Sequence, residues 1–133
     1  MNMAKHFRDA EVYRGAMEMV MSVFELTKKF PADEKQVLSD QIRRSSRSVC
    51  ANLAEAWRKR SYLAAFVSKL NDAETEAAET QLHLEVALRH RYITSEIFEN
   101  LDDACDKVLG QIVSMIDHAD RWIIKPRRQI SNG

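Results

Sequence analysis

Apolar residues recur along this chain in steps of three and four, the spacing that lines one face of an α-helix. They do so in four separate stretches. The first runs from about Asp9 to Phe30, with Val12, Ala16, Met19, Val23, Leu26 and Phe30 on one side, and Pro31 ends it. Asp33 followed three residues later by Gln36 reads as a capping box opening the second stretch. That stretch runs from about Glu34 to Arg58 and carries Leu38, Ile42, Val49, Leu53 and Trp57. A polar break at Lys59-Arg60-Ser61 follows, with Ser61 as the expected N-cap of the third. From about Tyr62 to His90 the stripe is Leu63, Phe66, Leu70, Ala73, Ala77, Leu84 and Leu88. Thr94 or Ser95 then caps a fourth helix through Ile97, Leu101, Ala104, Val108, Met115, Ala119 and Trp122. Short connections force neighbouring helices antiparallel, so the pattern predicts an all-α, up-down-up-down four-helix bundle.

Length and composition agree with one domain over residues 1–133. Three glycines and two prolines are too few for a many-stranded fold, and 45% apolar with 30% charged residues argues against disorder. Residues 1–8 read as a short N-terminal arm, and 125–133, which lack periodicity, as a frayed tail. The longest uncharged run, Val108 to Ile116, is far below the roughly 20 apolar residues that cross a bilayer. No secretory pattern opens the chain. Cys50 and Cys105 are therefore expected to be reduced thiols of a cytoplasmic protein.

Two of the helices carry more apolar surface than one buried side needs. The first adds Tyr13, Met17, Val20 and Phe24; the fourth adds Phe98, Cys105, Leu109, Ile116 and Ile123. A thick core explains this, and so does a subunit interface; the interface is favoured, because exposed apolar faces promote association. A homo-oligomer is the expectation.

Charge changes the picture further. The net charge is zero, but Arg43 to Arg60 holds six basic residues and one acid, Glu55. Asp72 to Glu85 and Glu96 to Asp106 hold five acids each and no Lys or Arg. On a helical wheel Arg43, Arg44, Arg47 and Arg58 fall within roughly 100° of one another, opposite the apolar stripe, and Lys59 and Arg60 extend the patch. Guanidinium groups pair bidentately with phosphate, so these six residues are the candidate contacts for an RNA or DNA backbone. Tyr62 and Trp57 lie close enough to add base stacking, although Trp57 is more simply core. The competing account has the arginines paired with acids such as Asp40, or with acidic helices of a partner subunit in a protein-interaction scaffold. No catalytic pattern is present. The residues three before His83, His90 and His118 are Thr80, Ala87 and Met115, so the Glu-x-x-His step of metal-binding bundles is missing. Neither a phosphate loop nor paired metal-ligand cysteines occur. The expectation is a binding protein with no catalytic residues, cofactor or metal. A chance meeting of Glu74, Glu79 and His83 on the third helix is read as solvated surface.

The stretch from Gln41-Ile42-Arg43-Arg44 through Ala51-Asn52-Leu53-Ala54-Glu55-Ala56 resembles the signature of a bacterial four-helix-bundle family. That family is named for proteins encoded in intervening sequences of large-subunit ribosomal RNA genes. Phe7-Arg8-Asp9 with Val12-Tyr13, Phe30-Pro31 with Glu34, and Arg91-Tyr92-Ile93 also resemble its pattern, which extends over roughly Phe7 to Trp122. Leu53 stands where the family has isoleucine and Ala56 where it usually has glycine. The resemblance implies an antiparallel bundle assembling as a homopentamer. It also implies kinship with accessory proteins of diversity-generating retroelements, whose basic surface engages RNA and a reverse transcriptase.

Overall fold

The computed structural model describes residues 5–124, and within them four long helices account for the fold. They are α1 (Glu11–Thr27), α2 (Asp40–Arg58), α3 (Leu63–Arg89) and α4 (Ser95–Asp117). Short 3₁₀ turns at Phe7–Asp9, Ala32–Glu34 and Ala119–Arg121, and a π turn at Lys35–Ser39, fill the connections. The expected tail at 125–133 and the first four residues of the expected arm lie outside the described residues.

Cross-helix contacts establish the direction of each helix. Tyr92, just before α4, donates its hydroxyl to Glu34 Oε2 near the start of α2 at 2.7 Å, and its ring lies 5.5 Å from Phe30 after α1. At the other end Ile124, after α4, donates its N–H to the Arg60 carbonyl after α2. Thus α2 and α4 run one way and α1 and α3 the other. α2–α3 is the most extensive helix pairing and α1–α4 the least extensive of the sequential and closing pairs.

The core follows the predicted stripes. Val12, Ala16, Met19 and Val23 of α1, Ile42, Val49 and Leu53 of α2, and Phe66, Leu70, Ala73, Ala77 and Leu84 of α3 are buried, with Val108 and Met115 of α4. Removing each large apolar side chain from water contributes roughly 1.5–3 kcal/mol. Two predicted stripe members are corrected: Leu63 and Ile97 are exposed, because each sits in the first turn of its helix, beyond the end of the packed layer. In their place Ala87, Cys105 and Ile112 are wholly buried.

The extra stripes on α1 and α4 largely thicken the core. Val20 and Cys105 are buried, and Tyr13, Phe98, Leu109, Ile116 and Ile123 pack partly against the core. Phe7 meets the Tyr13 ring edge-on at 5.0 Å, and the Arg43 guanidinium lies 4.9 Å over Phe24. Met17, Met21, Ile97 and Val113 are the apolar side chains these two helices leave exposed.

Helix ends differ from expectation in two places. Asp33 lies inside a 3₁₀ turn behind Pro31 and makes no capping bond, because the π turn spreads the start of the second helical stretch over eight residues. Tyr62, not Ser61, is the N-cap of α3, without a side-chain cap bond. Of the two candidates Thr94 and Ser95, Thr94 is the cap of α4, its Oγ1 accepting from Ile97 N at 3.2 Å. No helix among the described residues is long and apolar enough to cross a membrane.

Candidate nucleic-acid interface

The six basic residues of the second helical stretch do not act as one patch; packing divides them into three kinds. Arg43 is half-buried and ties α2 to the end of α1. Its Nε donates to Thr27 Oγ1 at 2.7 Å, and its plane covers the Phe24 ring. Arg44 lies over α3, 2.8 Å from Glu79 Oε1 and 3.6 Å from Glu76 Oε2. Glu79, first by hydrogen bond and then by charge, pushes the Arg44 pKa above its ordinary value. Arg44 is thus a compensated cation, with its acids supplied by the neighbouring helix and not by Asp40.

Arg47, Arg58 and Lys59 are exposed, and none has an acidic partner within ion-pair distance among the described residues. Arg60 is intermediate. Its Nε donates to the Trp57 carbonyl at 2.9 Å and its guanidinium stacks on the Trp57 ring at 3.7 Å. Burial, and then repulsion from Arg58, lower its pKa. Trp57 is buried, lies edge-on to Trp122 at 6.3 Å and offers no free face, whereas Tyr62 is 70% exposed.

Along α2 the cations share the outer face with Asp40, Ala51, Ala54 and Glu55. Asp40, Gln41, Arg43, Arg44, Arg47 and Ser48 line a shallow depression there of about 600 Å³. An extended polyanion lies across such a surface more readily than a small ligand lodges in it.

Between α2 and α3 the structure assembles a polar seam that periodicity alone does not reveal. Ser45 and Thr80 are fully buried and share a 2.8 Å hydroxyl–hydroxyl bond. Each hydroxyl is also within reach of a carbonyl of its own helix, Ser45 of Ile42 and Thr80 of Glu76, and with one proton apiece the pair fills two of the three bonds at a time. Next to them Glu76 Oε1 and His83 Nε2 are buried without a hydrogen-bond partner among the described residues. His83 Nε2 stands 3.6 Å from Glu79 Oε1. Burial first, then the hydrogen bond with Glu79, hold the Glu76 carboxyl above its usual range. The Glu76 hydrogen bond holds Glu79 below its own, with Arg44 adding to the effect. The residue that joins Glu79 and His83 is therefore Glu76 rather than Glu74. The available signal was a polar gap in each apolar stripe: Ser45 between Ile42 and Val49, Thr80 between Ala77 and Leu84.

Neither cysteine is poised for chemistry. Burial pushes both thiols up to about 12, and Cys105 Sγ lies 2.9 Å from Met19 Sδ inside the core. Ala56, at the position where the family usually has glycine, is 1% exposed, and its methyl group is buried in the bundle core without interrupting α2.

Comparisons with known proteins bear on this bundle directly. The family model described as 23S rRNA-intervening sequence protein matches residues 8–114. A crystal structure of a protein with unknown function from the S23 ribosomal protein family of Bacteroides thetaiotaomicron is similar at 34% identity and a TM-score of 0.73. The alignment covers 80% of this chain and 95% of that one. Among curated proteins no similar sequence is found.

Proposed function

This chain belongs to the 23S rRNA-intervening sequence protein family, and from that premise we propose that it is a nucleic-acid-binding accessory protein that acts by binding rather than by catalysis. Its ligand is the phosphate backbone of RNA, held on the outer face of α2 and the turn that follows. The observation that carries this reading is the uncompensated charge of Arg47, Arg58 and Lys59 on the exposed side of α2 and the turn that follows it. Arg43 and Arg44 contribute positive potential while serving the packing of α2 against α1 and α3.

A salt titration of RNA affinity tests the proposal. Log affinity falls linearly with log salt, by about 0.7 per neutralised phosphate on a single strand. Arg47→Glu with Arg58→Glu is expected to lower affinity at least about tenfold at low salt and to flatten that slope. Undetectable binding at low salt, or affinity unchanged by the double reversal, sinks the reading.

The second reading is a protein-interaction scaffold, and a specific observation supports it. Glu96, Glu99 and Asp103 on α4 are exposed and have no cationic partner among the described residues, so an acidic surface is free to meet the basic one of another subunit. Self-association, with five subunits as the family resemblance implies, is part of both readings. Met21, Tyr92, Ile97 and Leu101 line a groove of about 560 Å³ between α1 and α4 that gives it an apolar surface. Light scattering separates the readings. If the scaffold is the function, the Arg47 and Arg58 reversals change particle mass and leave nucleic-acid affinity alone.

A further inference from the structure

The division of the basic residues points to a smaller and more specific element than the whole α2 face. Arg58 ends α2, Lys59 is its C-cap, and Tyr62 donates its N–H to the Lys59 carbonyl at 3.0 Å. Lys59 and Tyr62 therefore belong to one hydrogen-bonded turn. From Arg58 to Asn71 the sequence contains no acid. The nearest acids on either side, Glu55 and Asp72, are both within ion-pair distance of Lys69 and not of Arg58 or Lys59.

Three features meet at this corner. The cations Arg58 and Lys59 are exposed and have no acid within ion-pair distance among the described residues, and Arg60 follows them directly. Tyr62 presents an aromatic ring that is 70% exposed, the most exposed large hydrophobic residue among those described, and Leu63 beside it is 51% exposed. Ile124, after α4, donates its N–H to the Arg60 carbonyl here and so ties the corner to the end of α4. Burial of a tyrosine ring is normally favourable, so one left open amid unpaired cations is suited to a planar, anionic partner.

We propose that the α2–α3 corner holds single-stranded nucleic acid, with backbone phosphates on Arg58 and Lys59 and an unpaired base stacked on Tyr62. The proposal rests on the reading of this surface as a nucleic-acid interface and specifies the strand state it takes. A duplex hides its base faces within the helix, so it engages the cations but not the ring. The Arg60 guanidinium stacked on Trp57 and its bond to the Trp57 carbonyl brace the turn that carries Lys59 and Tyr62.

Fluorescence anisotropy with the full chain tests this, using labelled oligonucleotides of about 12 residues, a length within the usual single-strand site sizes. The probes are oligo(U), oligo(dT) and an RNA duplex of the same length. The two single strands are expected to bind more tightly than the duplex, and their ratio tells RNA from DNA. Tyr62→Ala is expected to weaken single-strand binding roughly 5- to 100-fold, the range for loss of one stacked base. Tyr62→Phe and Tyr62→Trp are expected to retain it, because stacking needs the ring and not the hydroxyl. Duplex affinity is expected to be the same in all three variants. Equal affinity for duplex and single strand, or no effect of Tyr62→Ala, overturns the proposal. If binding is still lost on Arg47→Glu with Arg58→Glu, the broader reading stands while this one falls. If no oligonucleotide binds at low salt, both fall.

Discussion

Glu76 shows how much one side chain's fate depends on its neighbours. One of its oxygens faces Arg44 at 3.6 Å, while the other is buried and unpartnered among the described residues. Burial dominates, so the folded carboxyl titrates above its ordinary value. A carboxyl raised in this way binds its proton more tightly in the folded state than in the unfolded one. Its contribution to stability is therefore present in acid and is lost as pH rises through the folded pKa. Replacing it with the neutral isostere removes that loss. Glu76→Gln is expected to unfold at a higher temperature than the unaltered chain at pH 8, with the difference shrinking as pH falls below the ordinary carboxylate range. Thermal melts across that pH series check it, and an advantage that grows toward acid contradicts the assignment. Arg44 stays charged throughout, so its own contribution does not change sign over this range.

At the scale of elements, the join between α3 and α4 is the clearest case of backbone geometry at odds with residue type. Tyr92 N donates to the Ala87 carbonyl and Arg91 N to the Leu88 carbonyl, the paired bonds of a Schellman ending. The residue that must turn left-handed is Arg91, at φ 63°. A side chain there strains against the carbonyl, and glycine does not. Arg91→Gly is expected to stabilise the chain by up to about 1 kcal/mol in denaturant unfolding, the relief of left-handed strain being offset in part by a freer unfolded chain. The α2–α3 packing offers a second test at this scale. The Ser45–Thr80 bond is one of two open to each hydroxyl, so Thr80→Val leaves Ser45 bonded to the Ile42 carbonyl. The single change is expected to cost about 1 kcal/mol, and adding Ser45→Ala is expected to cost less than a second independent loss. Strict additivity in that double-mutant cycle shows that the two hydroxyls do not cooperate.

The whole molecule is electrically divided, and the antiparallel arrangement decides how. Because α2 and α4 run in the same direction, the basic end of α2 and the acidic start of α4 fall at opposite ends of the bundle. A neutral chain thereby presents one cationic corner to a polyanion while the acids that open α4 stay at the far end, which favours correctly oriented encounter at low salt. The same geometry closes the core so fully that most of the surplus apolar surface on α1 and α4 is absorbed within the single chain. Of the apolar side chains that remain exposed, Met21 and Ile97 line the α1–α4 groove, where helix contact is least extensive among the sequential and closing pairs.

The four helices and nearly all of the core were legible in the sequence, because a stripe of apolar residues at helical spacing has few other ways to leave water. Val12 through Val23, Ile42 through Trp57 and Phe66 through Leu84 are buried for that reason alone. The basic character of α2 was legible too, as was the cap at Thr94, since both are local properties. The division of the arginines was not. Whether Arg44 is free depends on Glu76 and Glu79, more than thirty residues away, and whether Arg43 is free depends on Thr27 and Phe24 of another helix. Sequence determined which residues carry charge and which helix face they occupy. Only the packing of one helix against the next decided which charges were neutralised, because an ion pair between helices is a fact about distance in space and not along the chain.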